Sequence, residues 1–210
     1  MGSGNVGKTS VLHRYLNGSF SYKYTQTVED LYDQNVSIDG ERFIIEFLDT
    51  SGSIEFPAMR RLAIRKANAF MLVFNIDNEE SFAEMKQTWR EIKNSRDDHK
   101  DIPCIVIGNK QDRENYREVE YFEALNWADN NGLEGMMLEV SSKTGENIDN
   151  IFMKLFKQIS LCKAQHQTVL RTKLRKKVRI EKGKKVSRTA TSIRALFSCG
   201  RKKSECTTDI

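Results

Sequence analysis

The chain is poor in the residues that build extracellular scaffolds and metal centres, with four cysteines, three histidines and two prolines among 210 residues. Cys104, Cys162, Cys199 and Cys206 form no C-x-x-C pair and the histidines are scattered. That pattern argues against a disulfide framework and against a zinc site, and a reducing cytoplasm is the expected compartment. Long apolar runs are lacking too. The longest, residues 69–74, is far too short to span a bilayer. No hydrophobic signal segment opens the sequence, and Val6 stands where a myristoylation signal wants Ser or Thr.

Charge of one sign is also absent from most of the chain. Residues 163–210 hold 15 Lys/Arg against 3 Asp/Glu, so residues 1–162 carry a net of −7 within the overall +5. An acidic body with a cationic tail argues against a uniformly nucleic-acid-binding surface, and no nucleic-acid partner is expected. The tail itself calls for an acidic partner, which by charge alone is anionic lipid, an acidic protein or RNA. The division predicts two parts, a domain over 1–162 and a basic, largely disordered tail over 163–210.

What is present is an alternation of short elements. Residues 7–16 read as a helix leaving a glycine-rich loop. Residues 31–38 and 42–49 are strand-like and are joined by Asp39-Gly40, a strong hairpin signal. Residues 69–76 and 104–108 are continuous apolar runs, as strands covered on both faces require. Phe82, Met85, Trp89 and Ile92 recur at spacings of three and four, which predicts an amphipathic helix over 81–94. The same pattern recurs over 121–130 and 147–161, with a strand at 136–140 between. The expected fold class is α/β, with a mostly parallel sheet, helices on both faces and a ligand at the carboxyl ends of the strands.

Three motifs carry chemistry. Gly2-Ser3-Gly4-Asn5-Val6-Gly7-Lys8-Thr9 fits G-x-x-x-x-G-K-[ST] and runs into Ser10 and the first helix. Glycines let backbone N–H groups converge on phosphate oxygens, Lys8 reaches the β- and γ-phosphates, and the Thr9 hydroxyl suits Mg²⁺. Asn109-Lys110-Gln111-Asp112 follows an apolar strand. The Asp112 carboxylate can accept hydrogen bonds from guanine N1–H and its 2-amino group. Adenine offers neither, and a buried unpaired carboxylate would cost at least about 1–3 kcal/mol. Asn109 would tie this loop to the phosphate loop, and the Lys110 stem would cover the base. Ser141-Ser142-Lys143 would close over the O6 edge through backbone N–H groups. In Asp49-Thr50-Ser51-Gly52, Asp49 would hold Mg²⁺ through water and the Gly52 N–H would sense the γ-phosphate, while Thr27 would complete the metal shell.

In order and spacing these motifs resemble the Ras family over residues 1–162. Residues 51–62 and 108–119 look most like its Dexras/Rhes subgroup. The resemblance implies a P-loop nucleotide-binding three-layer sandwich, GTP and GDP as ligands with Mg²⁺, slow GTP hydrolysis, and a monomer. It further implies exchange and activating proteins, and effectors read through residues 27–32 and a second switch at 51–62. Phe20 would lie beside the ribose and base, although on sequence alone it is equally a core residue. In this family a strand precedes the phosphate loop and lies centrally in the sheet. Here the motif begins at Gly2, so that strand is expected to be missing and the sequence to start late. The position after the D-x-x-G glycine, where the family uses Gln to orient the attacking water, holds Ser53. Serine is too short to hold that water and a phosphate oxygen together, so hydrolysis with Lys8, Thr27, Gly52 and Ser53 as the catalytic set should be slow. The alternative is a nucleotide-bound scaffold that barely hydrolyses.

In the tail, Leu170, Leu174 and Val178 recur among Lys and Arg, which suits an anionic membrane, such as the inner face of the plasma membrane, or a calmodulin-like partner. A solvated polycation is the plainer alternative. Cys206 is fifth from the end, so prenylation is not expected; Cys199, beside Leu196-Phe197, is a palmitoylation candidate. Thr208-Asp209-Ile210 could add to a PDZ-type sheet edge.

Overall fold

The structure, a computed structural model, describes residues 1–23, 25, 27, 29–38, 40–50, 52 and 57–183, and beyond residue 165 the backbone alone. The glycine-rich loop opens into α1 (Lys8–Asn17), which ends at Gly18 in a left-handed conformation, φ 64°. A hairpin follows, β1 (Glu29–Ile38) against β2 (Glu41–Thr50), antiparallel in register from Glu29↔Thr50 to Ile38↔Glu41. Gly40 takes φ 80° in its turn, while Asp39 lies outside the described residues. Then come α2 (Pro57–Lys66), β3 (Phe70–Asn75), α3 (Glu79–Ser95), β4 (Cys104–Asn109), a 3₁₀ turn (Gln111–Tyr116), α4 (Tyr121–Asn130), β5 (Met137–Glu139) and α5 (Ile148–Gly183).

Burial follows the sequence periods. Every residue of β4 is buried, and so is all of β3 except Met71. The stripe Phe82, Met85, Trp89 and Ile92 is the buried face of α3, whose N-terminus is capped by the Asn78 side chain accepting from the Ser81 N–H. On the hairpin side, Tyr15 of α1 stacks on Phe152 of α5 with ring centroids 3.8 Å apart, and Phe47 meets Phe152 edge-on at 5.7 Å. The phosphate-loop helix is thereby clamped between strand and helix by aromatic packing.

Strands β3, β4 and β5 form a parallel sheet, and the hairpin is a second sheet not hydrogen-bonded to it. The expectation that a central strand is missing meets this geometry: Met1 alone sits on the edge of β3, its carbonyl accepting from the Val73 N–H at 2.8 Å and its nitrogen donating to the Met71 carbonyl.

Two elements differ from the sequence reading. The helix α2 was not expected; its only buried residues are Ala63 and Ile64, too few to set a period. It is held to α3 by arginines. Arg60 donates to Glu91 Oε2 at 2.9 Å and Thr88 Oγ1 at 2.8 Å. Arg96 Nη1 donates to the carbonyls of Ile64, Arg65 and Ala67 at 2.8–3.0 Å, closing the C-terminal end of α2. The last helix does not stop near Leu161 but runs through Gly183, so the first part of the expected tail is helical. Lys163 lies 4.2 Å from the Phe43 ring centre and 3.4 Å from Glu41 Oε2. Beyond it no Gly or Pro interrupts the good helix formers before Gly183. Residues 1–167 form one compact unit. Among the described residues no helix is long and apolar enough to cross a membrane.

Candidate functional site

The phosphate loop is shaped by backbone angles that favour glycine. Gly2 and Gly7 take φ 148° and 85°, and Asn5 takes φ 58°. A Cβ on Gly7 would lie 2.4 Å from Asn109 Nδ2, so a side chain there is excluded by the base loop itself. Helix α1 starts without a side-chain cap and without an acidic residue in its first turn. Its leading N–H groups and positive dipole end are therefore free for an anion. Lys8 folds back over the loop, its Nζ donating to the carbonyls of Gly2 at 3.0 Å and Ser3 at 2.8 Å. Burial holds the Lys8 ammonium down to about 8, with Asp49 pulling weakly the other way. Such a lysine gains from a phosphate placed beside it.

Three oxygens meet at the start of α1. The Thr9 hydroxyl donates to Asp49 Oδ2 at 2.5 Å and lies 2.8 Å from the Thr27 Oγ1. Asp49 is buried at the end of β2, and burial raises its pKa against the opposing Thr9 hydrogen bond and Lys8 charge. Hard oxygen donors from two hydroxyls and a carboxylate are the set that Mg²⁺ accepts, so these residues fit the ion. Beside them the backbones of Gly52 and the phosphate loop touch: a Cβ on Gly52 would fall 2.4 Å from the Gly4 nitrogen.

The base loops are built from the ends of β4 and β5. Asn109 is fully buried; its Nδ2 donates to the Val6 carbonyl at 2.8 Å and its Oδ1 accepts from the Ser142 N–H at 3.1 Å. One amide thus joins phosphate loop and base loop, both of which it satisfies. Lys110 takes φ 67°, and burial lowers its pKa against the pull of Asp77. Asp112 Oδ1 accepts from the Ser141 hydroxyl at 2.6 Å, and its Oδ2 lies 3.8 Å from Lys143 Nζ. Phe20 packs edge-to-face on Tyr22, whose ring lies 6.0 Å from Lys143 Nζ. Ser53 and Gln26, and the tail sites Cys199, Cys206 and 208–210, lie outside the described residues.

The sequence reading missed two residues at this site. Asn75, at the carboxyl end of β3, places its amide nitrogen 3.0 Å from the Val6 carbonyl and its oxygen 2.8 Å from Lys110 Nζ, in the orientation that satisfies both. The rule that ligands gather at the carboxyl ends of parallel strands pointed there. Arg14 of α1 reaches the loop after β5, and no local motif marks it.

Fold and loops together define a P-loop nucleotide-binding α/β domain, with the Asp112 carboxylate held by Ser141 beside the Asn109 loop. Residues 1–161 match the Ras family, and the chain belongs to that family. It is 37% identical to human GTP-binding protein Rhes over a 193-position alignment that covers 87% of this chain and 70% of that protein. With mouse Rhes it shares 38% over 177 residues, 80% of this chain and 64% of that protein. GTP-binding protein Di-Ras2 of Macaca fascicularis is 38% identical over 154 residues, covering 73% of this chain and 76% of that protein. Ras-family proteins are small GTP-binding switches and GTPases whose ligands are GTP, GDP and Mg²⁺.

Proposed function

We propose that the chain alternates between GTP- and GDP-bound states at the pocket formed by residues 2–10, Thr27, Asp49, Gly52, 109–112 and 141–143, and that its own hydrolysis is slow. The observation that carries the reading is the joining of the two loops: Asn109 bonds the Val6 carbonyl and the Ser142 N–H, and Asp112 accepts from the neighbouring Ser141 hydroxyl. In this reading Lys8 and the first-turn amides of α1 neutralise the phosphates. Thr9 and Thr27, with Asp49 through water, would hold Mg²⁺, which would supply charge neutralisation at the phosphates. Asn109 keeps the base loop in register with the phosphate loop. Gly52 donates its N–H to the γ-phosphate, and its contact with Gly4 makes the second switch sensitive to that group.

The replacement of the family's Gln by Ser53 supports slow turnover. Changing Ser53→Gln should raise single-turnover hydrolysis; an unchanged rate would count against that part. An effector surface is supported by apolar side chains turned outward. Leu31 and Leu48, opposed across the hairpin, are 61% and 42% exposed, and Leu62 of α2 is 52% exposed. The basic tail adds an anionic membrane or a calmodulin-like helix receptor as partner. The scaffold alternative predicts that bound GTP leaves by exchange before it is hydrolysed, and comparing the two rates separates the readings.

Asp112 provides the direct test. The purified protein with Mg²⁺ should prefer GDP to ADP strongly, and Asp112→Asn should shift that preference from guanine toward xanthine, whose 2-oxo group needs a donor. Equal binding of GDP and ADP by the unaltered protein would overturn the proposal.

A further inference from the structure

Helix α1 and the loop after β5 are 128 residues apart in sequence yet joined by one side chain. Arg14 Nε donates to the Ser142 carbonyl at 2.8 Å, Nη1 to the Gly18 carbonyl at 2.8 Å, and Nη2 to the Lys143 carbonyl. The guanidinium thus caps the end of its own helix and grips two consecutive carbonyls of the base loop. Its stem also passes the turn, 3.8 Å from where a Cβ on Gly145 would lie.

The amides of that loop are mostly spent inside the protein. Ser141 N–H donates to the Glu146 carbonyl, Ser142 N–H to Asn109 Oδ1, Thr144 N–H to the Ser141 hydroxyl, and Gly145 N–H to the Ser141 carbonyl. Among the described residues this leaves the Lys143 N–H, alone between Ser141 and Glu146, with no internal acceptor. It belongs to the same peptide unit as the Ser142 carbonyl. No cis peptide bond occurs among the described residues, so that unit is planar with C=O and N–H pointing in opposite directions. Holding the carbonyl on the α1 side fixes the free N–H toward the opposite side.

We propose that Arg14 is a positioning residue for base specificity: by gripping the Ser142 and Lys143 carbonyls it aims the Lys143 N–H at O6 of a guanine held by Asp112. The inference rests on the guanine reading above, in which the 141–143 amides face O6, and adds the residue that orients them. Asp112 reads N1–H and the 2-amino group, whereas the Arg14-held peptide reads O6. Charge-assisted bonds from a guanidinium are the stronger kind, so the peptide is held more firmly than a neutral turn would hold it.

Two analogues separate the contributions. The 6-thio form of GDP keeps N1–H and the 2-amino group but replaces O6 with a poor acceptor; inosine diphosphate keeps O6 and N1–H but lacks the 2-amino group. Arg14→Ala should weaken GDP about tenfold. It should also flatten the preference for GDP over its 6-thio form while leaving the preference for GDP over inosine diphosphate unchanged. Arg14→Lys, with one point donor in place of the fork, should fall between, and it serves as the second variant if Arg14→Ala melts early. Equal loss for all three nucleotides would mean that Arg14 merely stabilises the fold, and no loss would remove its role; either result overturns the inference. Failure of the unaltered protein to bind GDP would instead defeat the guanine reading itself.

Discussion

Replacing Arg117 by Met tests how the base loops are held. Arg117 follows the 3₁₀ turn and is 11% exposed at its side chain; Glu139, the last residue of β5, is 8% exposed. The two form a fork-to-fork pair, Nη1 and Nη2 each 2.7 Å from a Glu139 oxygen, while Nη1 also donates to the Val119 carbonyl. Its second carboxylate, Glu114, lies in solvent and adds little. Glu114 and Glu139 both raise the pKa of the guanidinium. Removing Arg117 strands a carboxylate in the interior, and breaking a buried pair in this way costs about 3–5 kcal/mol. At roughly 2–4 °C per kcal/mol for a domain of this size, the midpoint should fall by about 6–20 °C. Urea unfolding followed by the fluorescence of Trp89 and Trp127 measures the same loss. Adding Glu139→Leu to Arg117→Met should recover most of it. A single variant within about 1 kcal/mol of the unaltered protein, or a double variant no better than the single, would refute the argument.

Lys8 predicts a proton linkage. With its folded value near 8 against an ordinary 10.5, the cost of burying the ammonium is present below pH 8 and is relieved as the pH rises toward 10.5. A diphosphate beside Nζ restores the charge, so GDP binding at pH 9 should take up most of a proton and at pH 6.5 almost none through this residue. Calorimetry in two buffers of different ionisation enthalpy reads this, and zero uptake at pH 9 would contradict it. Arg96→Ala should release the C-terminal carbonyls of α2 and speed amide exchange over residues 60–67 by roughly tenfold or more. Unchanged protection there would show that the Arg96 bonds do not hold the helix.

Much of this was legible in the sequence where one physical signal dominated. The all-apolar runs of β3 and β4 and the stripe on α3 are burial patterns, and burial is what the period reports. The phosphate loop, the base carboxylate and the oxygens around Thr9 sit on motifs whose spacing is local. Elements with mixed signals were harder to see. α2 buries two residues and is secured by its own Arg60 reaching α3 and by Arg96 just after α3, a tertiary effect with no period of its own. The apolar periodicity of α5 weakens after Leu161, although its backbone stays helical through Gly183. High propensity and the contact of Lys163 with Phe43 carry it further. Arg14 and Asn75 act across long sequence separations and look like ordinary polar residues until the strands and helices are brought together.

The meeting of Gly52 with Gly4 has a mechanical consequence. Two stretches of bare main chain lie flush, so whatever displaces one must displace the other, with no flexible side chain between them to absorb the movement. A single methyl group at position 52 would act as a doorstop, prising the segments apart and leaving them unable to close on a ligand. The tolerance of this contact is set by the absence of a side chain on either glycine.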